Sequence, residues 1–292
     1  MAPRVLVVGG DSEIATAAAA HLRDAGHGVA ATTRRTDRVA TERPFLDLAR
    51  PVDDWPIPEG IGAACFCAAI ARLADCARDP EGSTRVNVTG TVALADRLLA
   101  RGVPVLFLST DKVFDGSRPR VPADAPPCPV SEYGRQKAAA EAALGERRRA
   151  GAPVAILRLA KVVSPGMELL RQWIASLRAG RPIRAFDDMM MAPTPVALVA
   201  QAIERLLTSR SAGIFQLTGP RDIAYREVAL HLARRLGADP ALVEAVSAYS
   251  AGLPEGSTAA NTTLDSSALA ERFGIAVPDP IEVIDALVET CR

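Results

Sequence analysis

Aromatic side chains make up only 4% of the 292 residues, and there are just three histidines and three tyrosines. The core must therefore be packed from Val, Leu, Ile and Ala. His21, His27 and His231 lie at no metal-ligand spacing, so zinc and catalytic-histidine readings have little to stand on. Net charge is also lacking, since 34 basic side chains cancel 34 acidic ones. A general attraction to nucleic acid or anionic lipid is thereby excluded. A membrane-spanning helix needs roughly 20 apolar residues, and the longest apolar run covers only residues 62–71. The apolar residues 5–8 are too few for the core of a secretory signal. Five cysteines, Cys65, Cys67, Cys76, Cys128 and Cys291, form an odd set with no Cys-x-x-Cys pair. Reduced thiols in a cytoplasmic protein are expected.

What the sequence has instead is alternation. Short apolar runs at residues 4–8, 29–33, 63–69, 104–108 and 154–159 are separated by helical patterns at 12–25, 83–100 and 133–149. Strands apolar on both faces and divided by helices predict a doubly wound parallel sheet of the Rossmann type. The last third is less regular, with helices near 167–179, 195–207, 225–236, 266–273 and 280–290 and strands at 183–186 and 214–218. The reading is a dinucleotide-binding domain over residues 1–165. Residues 166–292 form mainly a smaller C-terminal substrate lobe, with some segments returning to the first domain.

After the first run the chain reads Gly9-Gly10-Asp11-Ser12-Glu13-Ile14-Ala15 and opens into a helix. Backbone N–H groups and the helix dipole would there face a pyrophosphate. Only Gly9 keeps the three-glycine pattern; Ser12 can cap the helix and Ala15 still permits close packing. Asp11 and Glu13 must turn outward to leave room for a phosphate, and a ligand-free strand–turn–helix is the other reading. The second strand ends in Thr32-Thr33-Arg34-Arg35. Guanidinium groups at that place suit the 2′-phosphate of NADP(H) over NAD(H), although a solvated basic turn would look the same.

Tyr133 and Lys137 form Tyr-x-x-x-Lys on one helix face. In such a pair the ammonium is expected to lower the phenol's pKa. Upstream, the run ending at Leu108 delivers Ser109 and Thr110 to the carboxyl edge of the sheet, where ligands bind.

These motifs resemble a known family. Residues 109–116 read STDKVFDG and residues 133–137 read YGRQK, similar to the STDYVFDG and YGKTK of the dTDP-4-dehydrorhamnose reductases, which are extended short-chain dehydrogenase/reductases. Cys67-Ala68-Ala69 stands where that family has Asn-Ala-Ala, residues 87–91 match its NVTGT helix, and Asp47-Leu48 resembles its adenine-contacting pair. Residues 158–162 parallel RTSWV. Asp187-Asp188 with Pro193-Thr194 resembles DDQxGxPT, and residues 263–265 resemble its late ALD motif. The resemblance implies NADPH-dependent reduction of a keto group on a nucleotide-linked sugar. Thr110, Tyr133 and Lys137 would be catalytic, and Asp111 would orient substrate hydroxyls. Gly9, Asp11, Ser12, Glu13, Ile14, Arg34, Arg35, Asp47, Leu48, Ala68, Ala69, Tyr133 and Lys137 would bind cofactor. Pairing through the helices at 83–100 and 133–149, giving a homodimer, is implied as well.

Two departures concern the substrate. Lys112 replaces the family's Tyr and Lys161 its Trp. Both cations fit a more anionic substrate, unless they face solvent. Lys112 also stands where the related dehydratases place a second acid, which disfavours dehydration. A sugar-nucleotide epimerase is a further alternative. So is a non-catalytic regulatory subunit of the same fold, like the methionine adenosyltransferase β subunit. Met189-Met190-Met191 fits either an adaptable pocket wall or a packed loop, and Arg147-Arg148-Arg149 fits a solvated helix end.

Overall fold

The computed structural model describes residues 4–254 and 256–290; Cys291 lies outside them. The first half contains β1 (Arg4–Val8), α1 (Glu13–Asp24), β2 (Val29–Ala31), β3 (Ile61–Phe66), α2 (Leu73–Arg78), α3 (Pro80–Thr84) and α4 (Thr91–Leu99). Next come β4 (Val105–Thr110), α5 (Glu132–Arg149), β5 (Val154–Leu159), β6 (Val162–Val163), α6 (Glu168–Arg178) and β7 (Ile183–Phe186). The remainder supplies β8 (Met190–Met191), β9 (Thr194–Pro195), α7 (Val196–Thr208), β10 (Gly213–Leu217), β11 (Ile223–Ala224), α8 (Tyr225–Arg235), β12 (Val243–Val246), α9 (Ser267–Phe273) and α10 (Pro280–Thr290).

Six strands form one parallel sheet in the order β10-β5-β4-β3-β1-β2. The period of two along each strand divides the core between its faces. Val5 and Val7 join Leu106, Leu157 and Ile203 beneath α1 and α7. Leu6 and Val8 join Phe107, Ile156, Leu94 and Leu144 beneath α4 and α5. This is the doubly wound α/β architecture. The strand near 214–218 returns from the last third to pair with β5 as the sheet's edge. A third cluster unites Trp173 and Ile174 of α6, Ile183 of β7, Val228 and Leu232 of α8 and Ile284 of α10. Trp173 meets Tyr225 edge-on, with ring centroids 6.5 Å apart.

Some expected elements change shape, each for a local reason. The helix at 83–100 is continuous but not uniform: α3 passes into a π-helical turn over Arg85–Gly90 before α4 begins. A Cβ on Gly90 would stand 2.0 Å from the Leu48 carbonyl oxygen, so the turn is where the chain near Leu48 crosses the helix. The six-residue α2 has no apolar period long enough to announce it. β2 stops at Ala31, and Thr33 makes a single bridge to Phe45. β3 stops at Phe66, which leaves residues 67–69 as a loop at the sheet's carboxyl edge. The methionine run is a packed wall: Met190 and Met191 pair with Ala224 and Ile223, and Met191 is buried.

Candidate functional site

The carboxyl ends of β1, β2 and β3 enclose a groove of about 800 Å³. Its floor is Gly9, whose φ of 87° is left-handed and whose missing side chain leaves the backbone against Ala68. A Cβ there would lie 2.6 Å from the Ala68 Cα. The Gly9 N–H donates to Thr32 Oγ1 at 2.9 Å, which fixes the turn. Ser12 caps α1, its Oγ accepting from the Ala15 N–H at 3.2 Å. Both carboxylates of this loop are held by protein partners, Asp11 within the groove wall. Asp11 accepts from Thr33 Oγ1 and from Arg43 Nη2, each at 2.6 Å. Partial burial works against the Asp11 carboxylate, but Thr33, the Arg34 backbone and Arg43 together hold it below its ordinary range. Glu13 accepts from Ser164 Oγ on the far side of the loop, and Ile14 packs into the core under α1.

The groove continues past Arg34 and Arg35 to Asp47 and Leu48 and is closed by Ala68, Ala69 and Val86. Arg35 Nη2 stands 3.3 Å from Asp37 and is half exposed, leaving its guanidinium at the rim. Arg43 and Arg38 approach Asp11 at 2.6 and 3.8 Å, adding two cations that the motif pattern does not reveal. Asp47 accepts from the Ala49 N–H at 3.1 Å. A left-handed glycine under a helix N-terminus, small walls and a basic rim fit a nicotinamide dinucleotide.

The second part of the site lies at the end of β4. Thr110 Oγ1 donates to Asp111 Oδ1 at 3.0 Å. Asp111 is paired with Lys112 Nζ at 3.4 Å, and both side chains are mostly covered. Burial raises the Asp111 pKa, opposed by Lys112 and Thr110. Lys112 is thus Asp111's counter-ion and does not face solvent. The start of α5 packs directly on this turn, because Gly134 has no side chain: a Cβ there would meet the Lys112 carbonyl oxygen at 2.1 Å. Ser131 caps α5 through the Gly134 N–H at 3.1 Å. Lys137 Nζ donates to the Leu108 carbonyl at 2.5 Å and sits 3.7 Å from the centroid of the Phe107 ring.

The expected lowering of the Tyr133 phenol by Lys137 is not found. Burial raises the phenol well above its ordinary value, and the charge of Asp111 adds to the rise. Burial also brings Lys137 down to about 7, against the pull of Glu141 and Cys67. Lys137 serves the Leu108 carbonyl and lends little charge to its neighbour. Lys161 is exposed; the protein around it lowers its pKa, and the Glu13 carboxylate counteracts that.

Of the sequence-derived residues, Gly9, Asp11, Ser12, Arg34, Arg35, Asp47, Leu48, Ala68 and Ala69 line the groove. Thr110, Asp111, Lys112, Tyr133 and Lys137 gather at the β4–α5 junction, and Glu13, Ile14 and Lys161 stand behind the phosphate turn. Two supporting arrangements lie outside the motif pattern. Asn87 Nδ2 donates to Gln136 Oε1 at 2.8 Å while its amide exchanges hydrogen bonds with the Ile70 backbone, so the π-helical turn joins the loop after β3 to α5. Arg158 and Glu141 form a buried pair at 2.7 Å under the same helix. Asp188 is consumed structurally, accepting from Ser247 Oγ at 2.6 Å and the Ala248 N–H at 2.7 Å.

Comparison with known proteins gives the same picture. A probable low-salt glycan biosynthesis reductase, Agl14, from Haloferax volcanii is 27% identical over 256 residues, 82% of each chain. A dTDP-4-keto-6-deoxy-D-glucose reductase from Streptomyces niveus is 29% identical over 252 residues, covering 84% of this chain and 83% of that protein. The fold matches a dTDP-4-dehydrorhamnose reductase from Bacillus anthracis, solved in complex with NADP, with a TM-score of 0.82 at 18% identity, over 99% of this chain and 100% of that one. The family model described as RmlD substrate binding domain matches residues 3–292, and the chain belongs to that family.

Proposed function

We propose that this protein is an NADPH-dependent reductase of a keto group on a nucleotide-linked deoxysugar or a similar anionic substrate. The observation that supports the reading is that a groove floored by Gly9 at a helix N-terminus and the group Thr110, Tyr133 and Lys137 both lie at the carboxyl edge of one parallel sheet. The names of the relatives support the same reaction class.

Bound NADPH supplies the hydride. Gly9, Ser12, Ile14 and the N-terminus of α1 take the pyrophosphate, with Asp11 and Glu13 held by their protein partners. Arg34 and Arg35 take the 2′-phosphate, which is the basis for NADP(H) over NAD(H). Asp47 and Leu48 meet the adenine, and Ala68 and Ala69 form the facing wall. Thr110 donates a hydrogen bond to the substrate carbonyl oxygen. Tyr133, kept protonated by burial, hands its proton to that oxygen as charge develops there. Lys137 holds the ribose, Asp111 with Lys112 orients sugar hydroxyls, and Lys161 meets an anionic group. Residues 1–165 are the cofactor domain and 166–292 mainly the substrate lobe. The protein works in the cytoplasm without nucleic acid. It pairs through α4 and α5, which sedimentation tests.

The test is turnover. With NADPH and dTDP-4-keto-6-deoxyglucose, nicotinamide absorbance falls and a reduced sugar forms, and Tyr133→Phe abolishes both. Arg34→Ala/Arg35→Ala weakens NADPH and leaves NADH unchanged. Absence of cofactor binding by the intact chain overturns the reading in favour of a regulatory subunit.

A further inference from the structure

Two thiols meet behind the groove. Cys65 and Cys67 are two residues apart at the end of β3, so their side chains leave the same face. Their Sγ atoms are 3.6 Å apart. Cys65 is fully buried within the sheet's core, whereas Cys67 is half-buried and lines the groove beside Ala68. One sulfur is therefore open to small solutes and the other is shielded directly behind it.

We propose that Cys65 and Cys67 are a disulfide-forming site, and that the disulfide closes the groove to its dinucleotide. With hydrogen peroxide as oxidant, the Cys67 thiolate attacks one oxygen. An S–O bond forms, the O–O bond breaks, and the departing hydroxide leaves as water with the thiol's proton. Cys65 then attacks the Cys67 sulfenic sulfur. The S–S bond forms, the S–O bond breaks, and a second water carries off the Cys65 proton. Two thiols have lost two electrons to one peroxide, and a dithiol reductant reverses the change. Burial agrees with this order of events, since Cys67 lines the groove and Cys65 is shut inside the core. Contact with Cys67 and burial raise the Cys65 pKa, suiting it to resolve and not to initiate.

Closure moves the groove. The sulfurs must come from 3.6 Å to about 2.05 Å. In an extended strand, Cα atoms two residues apart are separated by about 6.6 Å, near the upper limit of about 6.8 Å for a disulfide. Cys65 is fixed by pairing with Val7 and Leu106 on both sides. Cys67 lies beyond the strand and carries Ala68 with it, against which Gly9 packs without room for a methyl group. The phosphate turn has no slack to absorb that shift. The effect on cofactor rests on the function proposed above, while the disulfide rests on the two thiols alone.

The experiment treats the full chain with hydrogen peroxide, maps thiols by alkylation and peptide mass, and titrates NADPH before and after. The expected result is loss of two hydrogens from the peptide holding Cys65 and Cys67. NADPH affinity falls about tenfold or more, a dithiol restores it, and saturating NADPH slows the reaction. Cys65→Ala keeps its NADPH affinity after brief peroxide treatment, and Cys67→Ala forms no intramolecular disulfide. Oxidation confined to Cys76 or Cys128, over-oxidised Cys67 with free Cys65, or a disulfide that leaves NADPH affinity intact overturns the proposal. A reduced protein that binds no NADPH sinks the proposed function, while the mass measurement still decides the disulfide.

Discussion

The ammonium of Lys137 is bonded to the main-chain carbonyl of Leu108 at 2.5 Å, inside a cage closed by the Phe107 ring. A cation so enclosed is held by one carbonyl dipole and one aromatic face, with the Glu141 carboxylate acting from farther along the same helix. Burial outweighs these contacts, so its proton is easily lost.

Activity should record that loss. Burial brings Lys137 down to about 7, so kcat/KM declines as pH rises through that value in the free enzyme. Lys137→Met should lose the limb together with about 10²–10⁴-fold of the rate. Stability runs the other way. Between about 7 and the ordinary value of 10.5, the unfolded chain binds a proton that the folded chain has released, so unfolding free energy rises with pH across that window. Urea midpoints of wild type and Lys137→Met across the window check the sign: only the wild type gains this increment.

The buried pair beneath α5 supports the same lysine. Arg158 is 1% and Glu141 5% exposed, with the guanidinium also bonded to the Ala123 carbonyl at 3.0 Å and to Gln216 Oε1 at 3.3 Å. Glu141→Gln removes the charge that compensates Arg158 and should cost about 3–5 kcal/mol in urea unfolding. It also removes a charge that raises the Lys137 pKa, so the activity limb moves to lower pH. A variant with wild-type stability would show that the pair contributes nothing.

Gly9→Ala addresses the phosphate turn. With φ at 87° and Ala68 Cα 2.6 Å from the new methyl, the backbone strain alone is about 1–3 kcal/mol, and the turn must open. Loss of NADPH binding with the fold retained by circular dichroism is the expected outcome. An unchanged dissociation constant would place the cofactor elsewhere.

Lys112 and Lys161 should separate. Lys161→Ala raises KM for an anionic substrate with little change in kcat, and an unaltered KM removes it from the pocket. Lys112→Ala instead strips Asp111 of its counter-ion, leaving the carboxyl higher still in pKa. Its rate should lose more at acidic than at alkaline pH, which a pH series on the variant checks.

Local signals made much of this legible. The apolar periods predict α10 at its observed bounds of Pro280–Thr290 and β5 at Val154–Leu159. The turn at Gly9 and the Tyr133–Lys137 spacing both lead to the carboxyl edge of the sheet. What escaped depends on distant partners. The wide turn before α4 packs on the Leu48 carbonyl, about 40 residues upstream, and Asp11 is held by Arg43 and Thr33. Arg158 did leave a trace: a lone cation in the fully buried strand sequence VAILRL calls for a buried anion. The sign of the Tyr133 shift was missed because a helical spacing reveals proximity along the helix but not desolvation.

The π-helical turn gives the chain a fixed gauge. One flank carries Asn87, which ties the loop after β3 to Gln136 on α5, and the other carries Gly90, pressed on the Leu48 carbonyl. The end of the groove at Leu48 and the helix bearing Tyr133 are therefore set from a single wide turn. A π turn takes about one residue more than an α turn, so deleting one residue there would restore an ordinary α-helix with its flanks still nearly in register and remove only the wide turn that carries Asn87 and Gly90. Both ends of the groove would lose their tie together, so segment length here is as much a determinant of the site as any side chain in it.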